Sequence, residues 1–419
     1  MRMKLNKSSQ LALVSAAGFL AATLVTACSQ LTQSLTVDFV YVATSQAAGP
    51  NAYGEIDVFE IDSESGHMRP IPSSPFPSAG RDPVAEAVSA DNEDLFVANQ
   101  DDNTIVQFVI GTDGKLYPFN TVNTPGIFPL ALAANKANLF VVDTYQPLPI
   151  CSTADPCSGS IAVYPLSTAT GSTPVTLGSP AVNPAVSASY WPISLAGKAD
   201  ILTPTAVNVL ASGSYVYVTA YDTSATPSAG YVFGFAVGSS GTLTALPGSP
   251  YAAGTHPSAV ASDPGSAYVY VTDYAKGDVF GFSVTSTGSL SPLTSGIGGT
   301  NAFQAGAQPS AIVSDPAYPY IYVANSLDAT VSAYSMSNGA LTSLGTYQTG
   351  LQPVAIGIDP STSHFLYTAN FLGNTVSGFE LSPSAGTLVE TQFSPYGTNS
   401  QPTAVAAIPH KGTGAGVTP

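Results

Sequence analysis

Charge is scarce in this 419-residue chain: Asp, Glu, Lys and Arg make up only 9%, with ten basic residues against 26 acidic. So few cations exclude a nucleic-acid surface, which needs a basic stripe to track phosphates. Thin charge also speaks against long exposed amphipathic helices as the scaffold. Cysteine (three), histidine (four) and tryptophan (one) are rare too. No Gly-rich phosphate loop, Gly-x-Ser-x-Gly elbow, His-Glu-x-x-His set or Cys-x-x-Cys-His haem site occurs. Asp101-Asp102-Asn103 clusters oxygen ligands as a calcium site would, but without the spacing of an EF-hand loop, and a solvated loop is the better reading. No cofactor or metal is therefore expected. What is plentiful is Tyr (21), Phe (18), Gly (38) and Pro (34), the composition of short strands joined by turns. The expected class is all-β, and such chains often use more than about 200 residues as one unit.

Arg2, Lys4 and Lys7 precede an apolar run from Leu11 to Leu24, and small residues then lead into Cys28. That layout predicts a signal peptide over 1–27. Val25-Thr26-Ala27-Cys28 looks like a lipobox, so Cys28 is the expected lipidation site, with 28–36 as a linker. The alternative is an ordinary signal peptide with a chance cysteine. Resemblance to sorted lipoproteins places the chain in the bacterial envelope, at the outer membrane or periplasmic face, touching membrane only through its lipid. Export favours a local disulfide between Cys151 and Cys157 in a polar loop, over a metal pair that has no nearby histidine. Without the signal segment, seven basic residues face 26 acidic ones, a net charge of −19 that disfavours strongly anionic substrates.

Internal repetition decides the architecture. Phe39-Val-Tyr-Val-Ala43, Leu95-Phe-Val-Ala-Asn99, Leu139-Phe-Val-Val-Asp143, Tyr215-Val-Tyr-Val-Thr219, Tyr268-Val-Tyr-Val-Thr272, Tyr320-Ile-Tyr-Val-Ala324 and Phe365-Leu-Tyr-Thr-Ala369 are seven copies of one strand. Each is followed by an alternating strand, as in Asp278-Val-Phe-Gly-Phe282, and most by a weak polar strand after glycine, as in Gly288-Ser-Leu-Ser. A proline-led apolar strand closes each unit: Pro83, Pro129, Pro204, Pro257, Pro309, Pro353 and Pro402. Four strands per unit and seven units predict a seven-bladed β-propeller over 37–409, with 410–419 as a disordered tail. The chain begins on the Phe39 strand and ends on the Pro402 strand, so the ring should close by pairing both chain ends in one blade.

Loops after the second strand and before the first strand emerge on one face. The longest lie there, Thr144 to Gly159 and Gly178 to Thr203, which makes this face the binding candidate. Trp191, Tyr221 and Tyr274 are candidates to stack on a planar ligand, or else plugs at loop bases. Asp273, with Asn99, Asp143, Asn325 and Asn370, follows the second strand and is either a turn cap or a ligand contact. His256, just before Pro257, is the one histidine placed to act as a base at the channel mouth. Arg81 occupies the equivalent loop of another blade, to clamp a carboxylate or to pair with Asp82 or a neighbouring loop acid.

Tyr270-Val-Thr-Asp273, Tyr322-Val-Ala-Asn325 and Tyr367-Thr-Ala-Asn370, with His-Pro or Gln-Pro before the inner strand, resemble the bacterial lactonase family of 6-phosphogluconolactonase type and YVTN-repeat propellers. The resemblance runs from about Val37 to Pro409. It implies hydrolysis or formation of a sugar or muconate-type lactone at the channel mouth, using His, Glu and Arg. The family's Pro-Arg-His signature is replaced by Thr255-His256-Pro257 and Ala307-Gln308-Pro309, so only His256 and Arg81 carry over. Two readings follow for an expected monomer: an exported hydrolase of an uncharged sugar-type lactone, or a non-catalytic envelope propeller that binds a glycan, peptide or protein.

Overall fold

The computed structural model describes residues 36–45, 53–62, 64–148, 157–167, 174–195, 201–359 and 364–409. They form seven antiparallel sheets arranged as blades around an axis. The inner strands are Gln401–Pro409 in blade 1, then Pro83–Val88, Ile127–Ala134, Leu202–Val209, Pro257–Ser262, Pro309–Ser314 and Pro353–Ile358 in blades 2 to 7. Blade 1 joins the two ends of the chain: Thr36–Ser45 pairs with Gln401–Pro409 on one side and with Tyr53–Asp62 on the other. The second strand of every blade is sealed on both faces because a neighbouring blade covers each one; Leu95 to Ala98 are wholly inaccessible. That explains why these strands read as near-continuous apolar runs, whereas outer strands such as Leu290–Pro292 expose all but their first residue.

Two details differ from the four-strand expectation. Blades 1, 4, 5 and 7 add a short fifth strand against their third, at Phe76–Arg81, Tyr251–Ala252, Ala302–Gln304 and Tyr396–Gly397. In blade 3 the outer strand shrinks to Trp191–Pro192, paired with Ser160 and Ile161. The stretch from Gly178 to Leu195, read from sequence as part of a site-face insertion, therefore covers the outer edge of blade 3. The cause is apolar demand: Trp191, Ile193 and Ala181 cover Ile161 and Val163, which no regular outer strand shields.

Blades interlock through one repeated contact. Phe39, Tyr215, Tyr268, Tyr320 and Phe365, at or near the start of their strands, lie against Gly114, Gly288, Gly339, Gly386 and Gly66, each in a turn of the next blade. All five glycines have positive φ, and a Cβ on Gly339 would stand 2.5 Å from the Tyr268 ring. Two residues further along, Tyr41, Tyr217, Tyr270 and Tyr322 donate their hydroxyls to the carbonyls of Gly114, Gly288, Gly339 and Gly386, at 3.0, 2.7, 2.9 and 3.1 Å. At the seam between blades 7 and 1, Tyr367 is equally buried but its hydroxyl has no partner among the described residues.

One inner strand breaks the apolar pattern. Glu86 stands third after its proline, where the other six blades place Leu132, Val207, Val260, Ile312, Ile356 and Val405. Both carboxyl oxygens are sealed and without a partner among the described residues, and burial pushes the group up to about 8. Burial likewise raises Asp143 to about 7 and Asp94 to about 6. All three hold a proton more tightly folded than unfolded, so their contribution is complete below the unfolded carboxylate range and is lost as pH rises toward 8. Urea unfolding should therefore show stability falling from pH 5 to pH 8. Glu86→Leu should raise stability at pH 8 by roughly 2–4 kcal/mol and by less at pH 5; a variant equally stabilised at both pH values would contradict this.

Candidate functional site

At the mouth of the axis, the side chain of the residue before the inner-strand proline meets the preceding blade in three of the seven blades. His256 of blade 5 lies against Tyr221 of blade 4, ring centroids 3.9 Å apart. Gln308 of blade 6 accepts the hydroxyl of Tyr274 of blade 5 at 2.8 Å through Oε1. Asp82 of blade 2 is hydrogen-bonded by Ser45 of blade 1. In each case the partner stands at the end of the second strand of the blade before it, or just past that strand. The backbone repeats as well: the amides of Gln100, Tyr274, Ser326 and Phe371 donate to the carbonyls of Asp82, His256, Gln308 and Gln352. Seven half-exposed or exposed positions thus ring the mouth: Asp82, Phe128, Thr203, His256, Gln308, Gln352 and Gln401.

Below this ring, the Asx residues act as ties. Asp273 is inaccessible and accepts the amides of Thr255 (2.7 Å), His256 (3.1 Å) and Ala275 (3.0 Å). Asn325 accepts from Gly306, and Asp143 from Gly126. Blades 2, 3, 5, 6 and 7 carry both an Asx and a glycine three residues before the proline, whereas blades 1 and 4 have Thr44 and Ala220 and lack that glycine. The pairing is steric, since a Cβ on Gly306 would stand 2.6 Å from the Asn325 amide carbon. Asp273 therefore positions His256 and has no surface left for a ligand.

His256 is half-buried, with Tyr274 also near it at 5.6 Å between ring centroids. Burial lowers its pKa, partly opposed by the charge of Asp273. Burial thus favours the neutral imidazole, the form that accepts a proton. The structure brings His256, Tyr221 and Tyr274 together and leaves two other sequence candidates apart. Arg81, three blades away, binds Asp102 through Nε at 2.7 Å and Nη2 at 2.6 Å and donates to the Asp101 carbonyl. It pairs with a neighbouring loop acid, and the carboxylate clamp is already filled from within. Trp191 is 6% exposed and packed into the blade 3 to 4 core, where it cannot stack on a ligand. Cys157 is disulfide-bonded; Cys151 and the lipidation candidate Cys28 lie outside the described residues. Sequence reasoning did not single out Gln308, Gln352 and Gln401 as site residues, although the residue before each repeat's proline was the signal that marks them.

Residues 296–407 match the family model described as lactonase, 7-bladed β-propeller. The match covers blades 6 and 7 and most of the closing inner strand. No curated protein matches the chain. Among solved structures, a candidate 6-phosphogluconolactonase from Bacteroides fragilis is similar over 90% of this chain and 99% of its own, with 18% identity and a TM-score of 0.66. The periplasmic gluconolactonase PpgL of Pseudomonas aeruginosa is similar over 88% and 99%, with 17% identity and a TM-score of 0.66. At such identities the shared property is the lactonase-type propeller fold.

Because Asp273 is the charge that opposes the burial of His256, removing it should move the imidazole further down. An NMR titration is expected to place His256 below the ordinary histidine range, and lower still in Asp273→Asn; an unchanged or higher value in the variant would refute the arrangement.

Proposed function

We propose that this propeller binds an uncharged sugar-type lactone at its mouth and hydrolyses it, with His256 as general base. The observation that carries the reading is a half-buried imidazole, biased by burial toward its neutral form, that lies against Tyr221 and near Tyr274, with Gln308 bonded to Tyr274. Aromatic faces and amides suit hydroxylated rings without net charge. The strongly acidic chain and the commitment of Arg81 to Asp102 disfavour a phosphorylated substrate. In the reaction, the imidazole takes a proton from water as the water oxygen attacks the lactone carbonyl carbon. The ring C–O bond then breaks, and the imidazolium returns the proton to the departing alkoxide, leaving a hydroxy acid.

A second reading is favoured by one observation. No cation stands beside His256 among the contacts described, so the same surface serves a non-catalytic propeller that holds a glycan or a protein partner. Lactone turnover separates the two. With neutral and phosphorylated lactones followed by acid release, neutral lactones should be hydrolysed, and His256→Ala should lose roughly 10²-fold or more in kcat. Full activity in that variant would remove His256 from the mechanism, and absence of turnover on every lactone would leave the binding reading.

A further inference from the structure

We infer that the ligand of this mouth extends beyond one sugar ring: the site takes the aldonolactone of a neutral oligosaccharide, with its further sugar residues lying along Gln308, Gln352 and Gln401. The inference rests on the sugar-lactone reading above and adds the class of substrate.

The three glutamines occupy the same ring position in consecutive blades 6, 7 and 1, directly after His256 in blade 5. Gln308 and Gln352 share the left-handed backbone of this position, φ 54° and 55°. Their carbonyls are tied in the same way, by the amides of Ser326 and Phe371. Gln308 spends only Oε1, on Tyr274, which leaves its Nε2 to donate. Among the described residues, the side-chain amides of Gln352 and Gln401 make no hydrogen bond. An amide both donates and accepts, as a sugar hydroxyl does, and carries no charge. Neighbouring inner strands approach within 8 Å but are not hydrogen-bonded to each other. Each step around the ring is therefore wider than the strand spacing of about 4.8 Å. Three such steps separate His256 from Gln401, more than a single sugar residue spans. Beyond Gln401 the next ring position is Asp82, which makes that end unsuited to an anionic terminus.

The test compares glucono-1,5-lactone with cellobiono-1,5-lactone and maltobiono-1,5-lactone. At least one disaccharide lactone should exceed gluconolactone in kcat/KM by about tenfold, mainly through KM. In Gln352→Leu/Gln401→Leu, with its unfolding midpoint checked against the parent, that ratio should collapse toward one. Equal kcat/KM for all three lactones, or a preference that survives the double substitution, would overturn the inference while leaving hydrolysis at His256 intact. If no lactone is turned over, calorimetry with cellotriose and maltotriose decides: binding that is lost in the double variant supports the glutamine arc without catalysis, and no binding to either overturns it.

Discussion

An aromatic ring seated on a left-handed glycine of the neighbouring blade is the contact on which the rest of this molecule depends. Phe39 on Gly114, Tyr215 on Gly288, Tyr268 on Gly339, Tyr320 on Gly386 and Phe365 on Gly66 repeat it around the ring. With few ion pairs available, burial and buried hydrogen bonds must hold the blades. The contact admits no side chain on the glycine. It is also directional, because the ring always belongs to one blade and the turn to the next. The tyrosine hydroxyls that reach four of these glycine carbonyls make those four junctions specific as well as apolar.

Fixing each blade against its neighbour also fixes what meets at the mouth. The candidate site is built between blades: Tyr221 with His256, Tyr274 with Gln308, Ser45 with Asp82. A rotation of one blade would separate these pairs before it disturbed any single sheet. Asp273 shows how closely the two layers are joined, since one inaccessible carboxylate ties the loop that carries His256 and sets the charge around its imidazole. Arg81, the basic residue next to the ring position Asp82, brings no free cation to the mouth because it is already bound to Asp102.

The architecture was legible because alternation and doubly covered strands leave plain marks: Tyr268-Val-Tyr-Val and its relatives can be counted, and a proline at the start of each inner strand sets the phase. Ring closure followed from where that phase starts and stops. The outer strand of blade 3 was not legible, because Trp191 and Pro192 sit in a long segment without alternation and only the bare Ile161 and Val163 call them in. The mouth was half legible. His256, Tyr221 and Tyr274 stood out as rare or aromatic residues at loop positions. Their pairing with each other and with Gln308 joins residues as much as 35 positions apart and depends on which blade follows which. Asp273 and its Asx relatives could be cap or ligand by sequence, and burial decided for the tie.

The seam offers the most direct test of the interlock, because Tyr270 and Tyr367 occupy equivalent places but only Tyr270 finds its glycine carbonyl. Equilibrium unfolding of Tyr270→Phe and Tyr367→Phe should differ. The first should lose about 1–2 kcal/mol as the Gly339 carbonyl is left without its donor, and the second should be unchanged or slightly more stable. Equal losses in the two variants would contradict the claim that these hydroxyl contacts hold the blades together.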